Sequence, residues 1–176
     1  MQAVTRQPAS GQALAEWALV MPLFFLILFS ILQLGLLLGG QNGVVNAVRE
    51  TARYAVPHRV TNTTAASLVC PAVVGKLTDA LSAQVIGFDS IAWAANSLDG
   101  STVTYTWLQD PDGRWYVLVR VSAGYRFPLY VPLANAILDG LDGAMDQSLH
   151  LSAQEEMRVE NDPLVDGDAG WSVTCP

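Results

Sequence analysis

From Trp17 to Val48 the chain has no charged side chain. A helix of that length in water would carry a polar face, so the absence excludes an ordinary solvated element. Cations are scarce throughout: nine Lys and Arg stand against sixteen Asp and Glu, for a net charge of -7. That balance opposes a sequence-independent grip on phosphates, and no nucleic acid partner is expected. The two histidines, His58 and His150, are far apart and have no cysteine or carboxylate at metal-ligand spacing. No nucleophile elbow, phosphate-binding glycine loop, Cys-x-x-Cys or internal repeat occurs. An enzyme therefore lacks candidate residues, and no cofactor or metal is expected. Cysteine is limited to Cys70 and Cys175. An even pair without a histidine partner reads as one disulfide, which needs an oxidising compartment. Two unrelated buried thiols are the plainer alternative.

What the chain has in excess is one hydrophobic run. Of all residues 51% are hydrophobic, and the surplus is N-terminal, with Leu23-Phe24-Phe25-Leu26-Ile27-Leu28-Phe29 and Leu36-Leu37-Leu38. A bilayer core about 30 Å thick is crossed by roughly 20 apolar residues at 1.5 Å each, so the run can span a membrane. A cleaved secretory signal would have a shorter apolar core and a small-residue cleavage site, whereas this run ends in Leu-Gly-Gly-Gln-Asn-Gly. A retained anchor fits better. Charge and cysteine disagree on its orientation. Arg6 precedes the run and Arg49, Arg53 and Arg59 follow it, which by the positive-inside rule leaves the C-terminal part in the cytoplasm. A disulfide places it outside.

Helical spacing continues past the run. Val44, Val45, Ala47, Val48, Ala52, Ala55 and Val56 form an apolar stripe against Asn46, Arg49, Glu50 and Arg53, and Pro57 ends it. A rod from Gln12 to Val56 would be about 65 Å long, its lower half in lipid and its upper half laid on a folded head. Pro22 inside the rod cannot donate to the Ala18 carbonyl, so a kink is expected there. Gly35, Gly39, Gly40 and Gly43 have the spacing that lets helices approach closely in a membrane, although glycine is also ordinary in such helices.

The remainder, 57–176, reads as a small α+β head. Asn62-Thr63-Thr64 caps a second helix that is expected to break near Cys70-Pro71 and resume through Val73, Val74, Leu77, Ala80 and Leu81. Thr102 to Trp107 and Trp115 to Val121 are strand-like, and Asp110-Pro111-Asp112-Gly113 suits a type I turn between them. A third strand is expected over Ser148 to Val159, with Leu149, Leu151, Ala153, Met157 and Val159 on one face and Glu155 the single departure. Pro128, Pro132 and the stretch from Asp139 to Asp146 read as an irregular loop. Asp139, Asp142 and Asp146, or Asp166 and Asp168, could bind calcium, but neither group has EF-hand spacing, and solvated turn acids explain them better. Asn62-Thr63-Thr64 is also a formal glycosylation sequon.

Two segments together resemble a known family. Gly11-Gln12-Ala13-Leu14-Ala15-Glu16-Trp17-Ala18-Leu19-Val20-Met21-Pro22-Leu23, followed by Asn46-Ala47-Val48-Arg49-Glu50-Thr51-Ala52-Arg53-Tyr54-Ala55, is similar to the TadE-like proteins. These are minor pilins or pseudopilins of the tight-adherence (Flp, type IVc) pilus system. Leu149-His150-Leu151-Ser152-Ala153 and Met157-Arg158-Val159-Glu160 resemble the strand that commonly ends such chains. Trp17 stands where the family usually has Phe or Tyr, and Thr51 where it often has Gly.

The resemblance implies a type IV pilin-like fold: a transmembrane helix whose amphipathic half packs on a small antiparallel sheet. It implies a prepilin leader at 1–11, cut between Gly11 and Gln12 by a prepilin peptidase. It implies a helix at 12–56, with its span at about 17–39 and its amphipathic extension at 41–56. The expected partners are that peptidase, other pilin or pseudopilin subunits, the tight-adherence assembly machinery and the lipid bilayer. The expected place is the cytoplasmic (inner) membrane, crossed once with the head outside, and then an extracellular pilus serving adhesion or biofilm. Glu16 would pair with the N-terminal ammonium of a neighbouring subunit, since a carboxylate in hydrocarbon is costly unless paired. Taken without Gly11 and the downstream match, Glu16 reads better as an ordinary acid favoured by the helix dipole. The competing reading of the whole is an unprocessed, signal-anchored extracytoplasmic domain with a structural or binding role.

Overall fold

In the computed structural model, which describes residues 10–58, 60, 62–89, 101–130, 148–159 and 171–175, one long helix carries a two-layer head on its C-terminal half. Helix α1 (Ser10–Ala55, 46 residues) continues without interruption through Pro22. Its end lies where Pro57 predicts, because proline disfavours helix in the residue before it. Three of the last four carbonyls, those of Ala52, Tyr54 and Ala55, have partners. The Val56 amide donates to the Ala52 carbonyl at 3.2 Å, the His58 amide donates to that of Ala55 at 3.2 Å, and His58 Nδ1 lies 2.8 Å from the Tyr54 carbonyl.

Helix α2 (Thr63–Gln84) starts at Asn62, whose side-chain oxygen accepts from the Ala65 amide at 2.8 Å. The expected break at Cys70-Pro71 does not occur. Pro71 removes one hydrogen bond, but it sits on the exposed side of the helix. Ala66 and Cys70 before it and Val73, Leu77, Ala80 and Leu81 after it form one buried stripe. Burial of both halves on the same surface outweighs the lost bond.

The sheet has the order β3-β2-β1-β4 and is antiparallel throughout. Strands β1 (Thr102–Gln109) and β2 (Trp115–Pro128) form the expected hairpin. Gly113 closes the turn at φ +79, with its amide donating to the Asp110 carbonyl at 2.8 Å. A left-handed residue at that point is best supplied by glycine. Strand β2 outruns its β-rich sequence and continues to Pro128, because β3 (Ser148–Arg158) pairs with it from Leu118↔Arg158 to Pro128↔Ser148. The weak strand formers Ser122, Ala123 and Gly124 are held by a partner remote in sequence. Strand β4 (Ser172–Cys175) pairs with β1 from Val103↔Cys175 to Thr106↔Ser172.

Both helices pack on one face of the sheet, α1 against β2 and β3 and α2 against β1 and β4. Strand alternation supplies the inner row: Val103, Tyr105 and Trp107 on β1, and Val117, Val119, Val121, Ala123, Tyr125 and Phe127 on β2. Glu155, the polar departure on β3, lies in the helix-side row and meets Arg49 Nε at 3.6 Å.

Among the described residues three buried donors have no partner: the Tyr105 hydroxyl and Trp107 Nε1 in the head, and Gln33 Nε2 on α1. Burial pushes the Tyr105 phenol up to about 12. Replacing Tyr105 by Phe deletes a buried, unpartnered hydroxyl and is expected to stabilise the head by about 1 kcal/mol at neutral pH. The pH dependence has a fixed sign. The folded phenol resists ionising while the unfolded one ionises near its ordinary value, so this contribution is whole below pH 10 and is lost as pH rises toward 12. Urea titrations of the solubilised chain against pH should show a steeper alkaline loss in wild type than in Tyr105→Phe. Equal slopes would contradict the assignment.

Candidate membrane anchor and assembly segment

The first part of α1 is long and apolar enough to cross a membrane, and its side chains face outward. Leu19 is 78% exposed and Leu38 58%, with Phe24, Phe25, Ile27, Ile31 and Leu34 also open. Contiguous apolar surface on this scale marks a site that lipid or another chain covers. Phe25 stacks on Phe29 at 5.8 Å, and Ser30 donates its hydroxyl to the Leu26 carbonyl at 2.7 Å, so the polar group is satisfied within the helix. Helix α2 is also long and apolar enough to cross, but its buried stripe belongs to the head core.

The residues to which the family resemblance assigns processing and pairing, Gly11, Gln12 and Glu16, lie at the start of this helix. Gly11 is helical and exposed, and a Cβ added there would meet nothing within 4 Å. Gln12 follows in the same turn. Glu16 is exposed a little over one turn further, beside a shallow open depression lined by Ala15, Leu19 and Val20. The three are neighbours along one helix and lie away from the head. Cys70 and Cys175, distant in sequence, are joined in the structure with their Cα atoms 5.3 Å apart, linking α2 to β4.

Burial on α1 begins at Gln33 and follows helical spacing through Gly40, Gly43, Val44, Ala47, Val48, Thr51, Ala52 and Ala55. The glycines were expected to admit another membrane helix, but the head of the same chain fills two of them. A Cβ on Gly43 would lie 2.4 Å from the Gln84 carbonyl oxygen, and one on Gly40 would lie 2.8 Å from the Phe127 ring. Gly39 faces Ile86 more loosely, and Gly35 faces open space. Thr51 is buried without cost in unpaired groups, because its hydroxyl donates to the Ala47 carbonyl at 2.8 Å.

Polar contacts fix the rotation of α1 on the head. Gln41 Nε2 donates to the Ser152 carbonyl of β3 at 3.0 Å. Lys76 Nζ lies 2.6 Å from Glu50, which also accepts from Gln84. The Lys76 hydrogen bond and charge hold the Glu50 carboxyl below its usual range, and Glu50 raises the Lys76 ammonium in turn. These side chains are exposed and screened by solvent, so they set orientation more than stability.

Sequence reasoning passed over Gln33. It is 1% exposed; its Oε1 accepts from the Tyr130 amide at 3.2 Å, and its Nε2 is buried without a partner. The available signal was a lone amide inside an apolar run. Among the described residues no three His, Cys, Asp or Glu side chains group as a metal site, while Asp139, Asp142, Asp146, Asp166 and Asp168 lie outside the described residues.

Residues 11–53 match the family model described as TadE-like protein. The matched span takes in the exposed apolar run and most of the stripe that docks the head. No curated protein and no solved structure matches the chain.

Proposed function

We propose that this chain is a membrane-anchored minor pilin or pseudopilin of a tight-adherence pilus, cut after Gly11 and built into the pilus machinery through its exposed helix. The observation that carries the reading is the TadE-like match over residues 11–53 on a helix whose first part the head leaves uncovered. A TadE-like chain is associated with the Tad pilus and is a structural component rather than a catalyst. In this reading the leader 1–11 is removed by prepilin peptidase. The span at about 17–39 holds the subunit in the inner membrane, and the head at 57–176 stands outside the cytoplasm, where Cys70 and Cys175 can oxidise.

Cleavage gives Gln12 a free ammonium, and Glu16 lies one helical turn along. Within lipid the carboxylate is tolerable when paired, and the ammonium of an adjacent subunit at the same depth would pair it and set the register between subunits. Pro22, which removes one helix hydrogen bond, marks the place where the span can bend during packing.

Two linked measurements test this. Intact mass of the membrane-extracted protein should correspond to a chain beginning at Gln12, and a bulky residue at Gly11 should leave the leader attached. Glu16→Ala should be processed and inserted normally but fail to enter the pilus machinery. A mature protein that still contains Met1 to Gly11 would favour an unprocessed signal anchor. Normal assembly by Glu16→Ala would remove the pairing role and leave the processing reading intact.

A further inference from the structure

The base of the head presents a second apolar surface that the anchor alone does not explain. Ile86, just past the end of α2, is 59% exposed, and Tyr130, just past the end of β2, is 59% exposed. The two adjoin. A Cβ on Gly87 would lie 2.8 Å from the Tyr130 hydroxyl, and Ile86 Cδ1 lies 3.7 Å from where a Gly39 Cβ would stand. Ile86 therefore faces α1 at Gly39, and the Tyr130 backbone meets α1 at Gln33, where its fully exposed stretch ends.

Helix geometry sets the depth of this belt. If Trp17 marks one edge of the hydrocarbon, a core about 30 Å thick ends roughly 20 residues later, near Leu37. Gln33 then lies about 6 Å inside that boundary. The Tyr130 amide is tied to Gln33 Oε1, so the chain of the head reaches below the boundary. Backbone outside a helix survives at that depth only when its polar groups are satisfied within the protein. Three of the backbone groups there are paired within the protein. The Tyr130 amide has Gln33, and the Gly87 carbonyl accepts from the Tyr125 hydroxyl at 3.1 Å, which in turn accepts from the Asp89 amide at 3.2 Å. The Tyr130 amide is held at Gln33, while its hydroxyl adjoins Gly87, the neighbour of Ile86, which faces Gly39 further up α1. An amphipathic ring with that direction, apolar body toward lipid and hydroxyl toward water, is the usual tenant of the membrane interface.

We propose that the base of the head, through Ile86 and Tyr130, is seated in the acyl–headgroup boundary of the leaflet from which α1 emerges. The head is thus held at a fixed height on the bilayer rather than carried above it on a free stalk. This rests on α1 being the membrane anchor, and the test separates the two claims.

The full chain, with its disulfide intact, is labelled with an environment-sensitive dye at one introduced cysteine: Ile86→Cys, Leu28→Cys within the span, or Asp112→Cys at the hairpin tip. Each is reconstituted at low density in phosphatidylcholine–phosphatidylglycerol vesicles that contain nitroxide lipids of graded depth. Ile86 and Asp112 are exposed, so labelling there should leave the melting temperature unchanged. The expected result is that shallow nitroxides quench the label at 86 at least about threefold more than that at 112, and deep nitroxides quench the label at 28. If the label at 28 is quenched and that at 86 behaves as at 112, the anchor stands and the seating is wrong. Quenching at 86 only by a nitroxide-labelled second copy of the chain would assign the belt to a subunit contact and likewise overturn the proposal. If the label at 28 escapes lipid quenchers, the anchor itself fails, and the seating with it.

Discussion

Reducing the bond between Cys70 and Cys175 is expected to cost the head up to about 4.7 kcal/mol, the chain-entropy value for a closed loop of this size. The separation is 105 residues, so the bond removes a large part of the freedom of the unfolded chain. Against the 5–15 kcal/mol typical of a domain this is a large share, and the melting temperature should fall on the order of ten degrees or more. The loss should be local first. Strand β4 has only four residues and, among the described residues, pairs with β1 alone. The Trp107 amide donates to the Trp171 carbonyl at 3.1 Å, and the two indoles lie 5.2 Å apart, so both contacts depend on the tail staying in place. Hydrogen exchange with and without reductant, on the solubilised chain and on the Cys70→Ser/Cys175→Ser double variant, should show residues 171–175 opening before β1 and β2. A reduced protein that melts within a degree or two of the oxidised one would show that the bond contributes nothing.

Replacing Gly43 by alanine should destabilise the head by about 2 kcal/mol even though alanine is the better helix former. The new methyl would lie 2.4 Å from the Gln84 carbonyl oxygen, 2.9 Å from its carbon and 3.1 Å from the Val85 Cα. All three are backbone atoms at the end of α2, which cannot rotate aside as a side-chain tip could. Either α2 withdraws from α1 or the stripe from Val44 to Ala55 lifts off the sheet. Gly35→Ala is the control, because nothing lies within 4 Å of a Cβ there and helix propensity alone should stabilise it by up to about 1 kcal/mol. Denaturant titrations in detergent should therefore move in opposite directions for the two alanines. If Gly43→Ala is as stable as Gly35→Ala, α1 and α2 do not approach as closely as described.

The sequence by itself determined the helical rod, its end before Pro57, the first hairpin and the apolar face of β3. Each of these is written locally, as the period of the apolar residues, a proline or a turn glycine. Gly11, Gln12 and Glu16 follow one another on the helix that the sequence predicts, a spacing that survives whatever the rest of the chain does. Tertiary structure decided the matters that depend on residues far apart. Pro71 stays helical because Ala66, Cys70, Val73 and Leu77 are buried on one surface, an energy that no local propensity records. Ser122 to Gly124 become strand because β3 pairs with them, and Glu155 is tolerated in the inner row because Arg49 of α1 reaches it. Gly40 and Gly43 look in sequence like a contact for a foreign helix, yet Phe127 and the end of α2 occupy them. Gln33 shows the limit most plainly. In sequence it is one amide in an apolar run, and only the arrival of Tyr130 from 97 residues away makes it the point where the head meets the anchor.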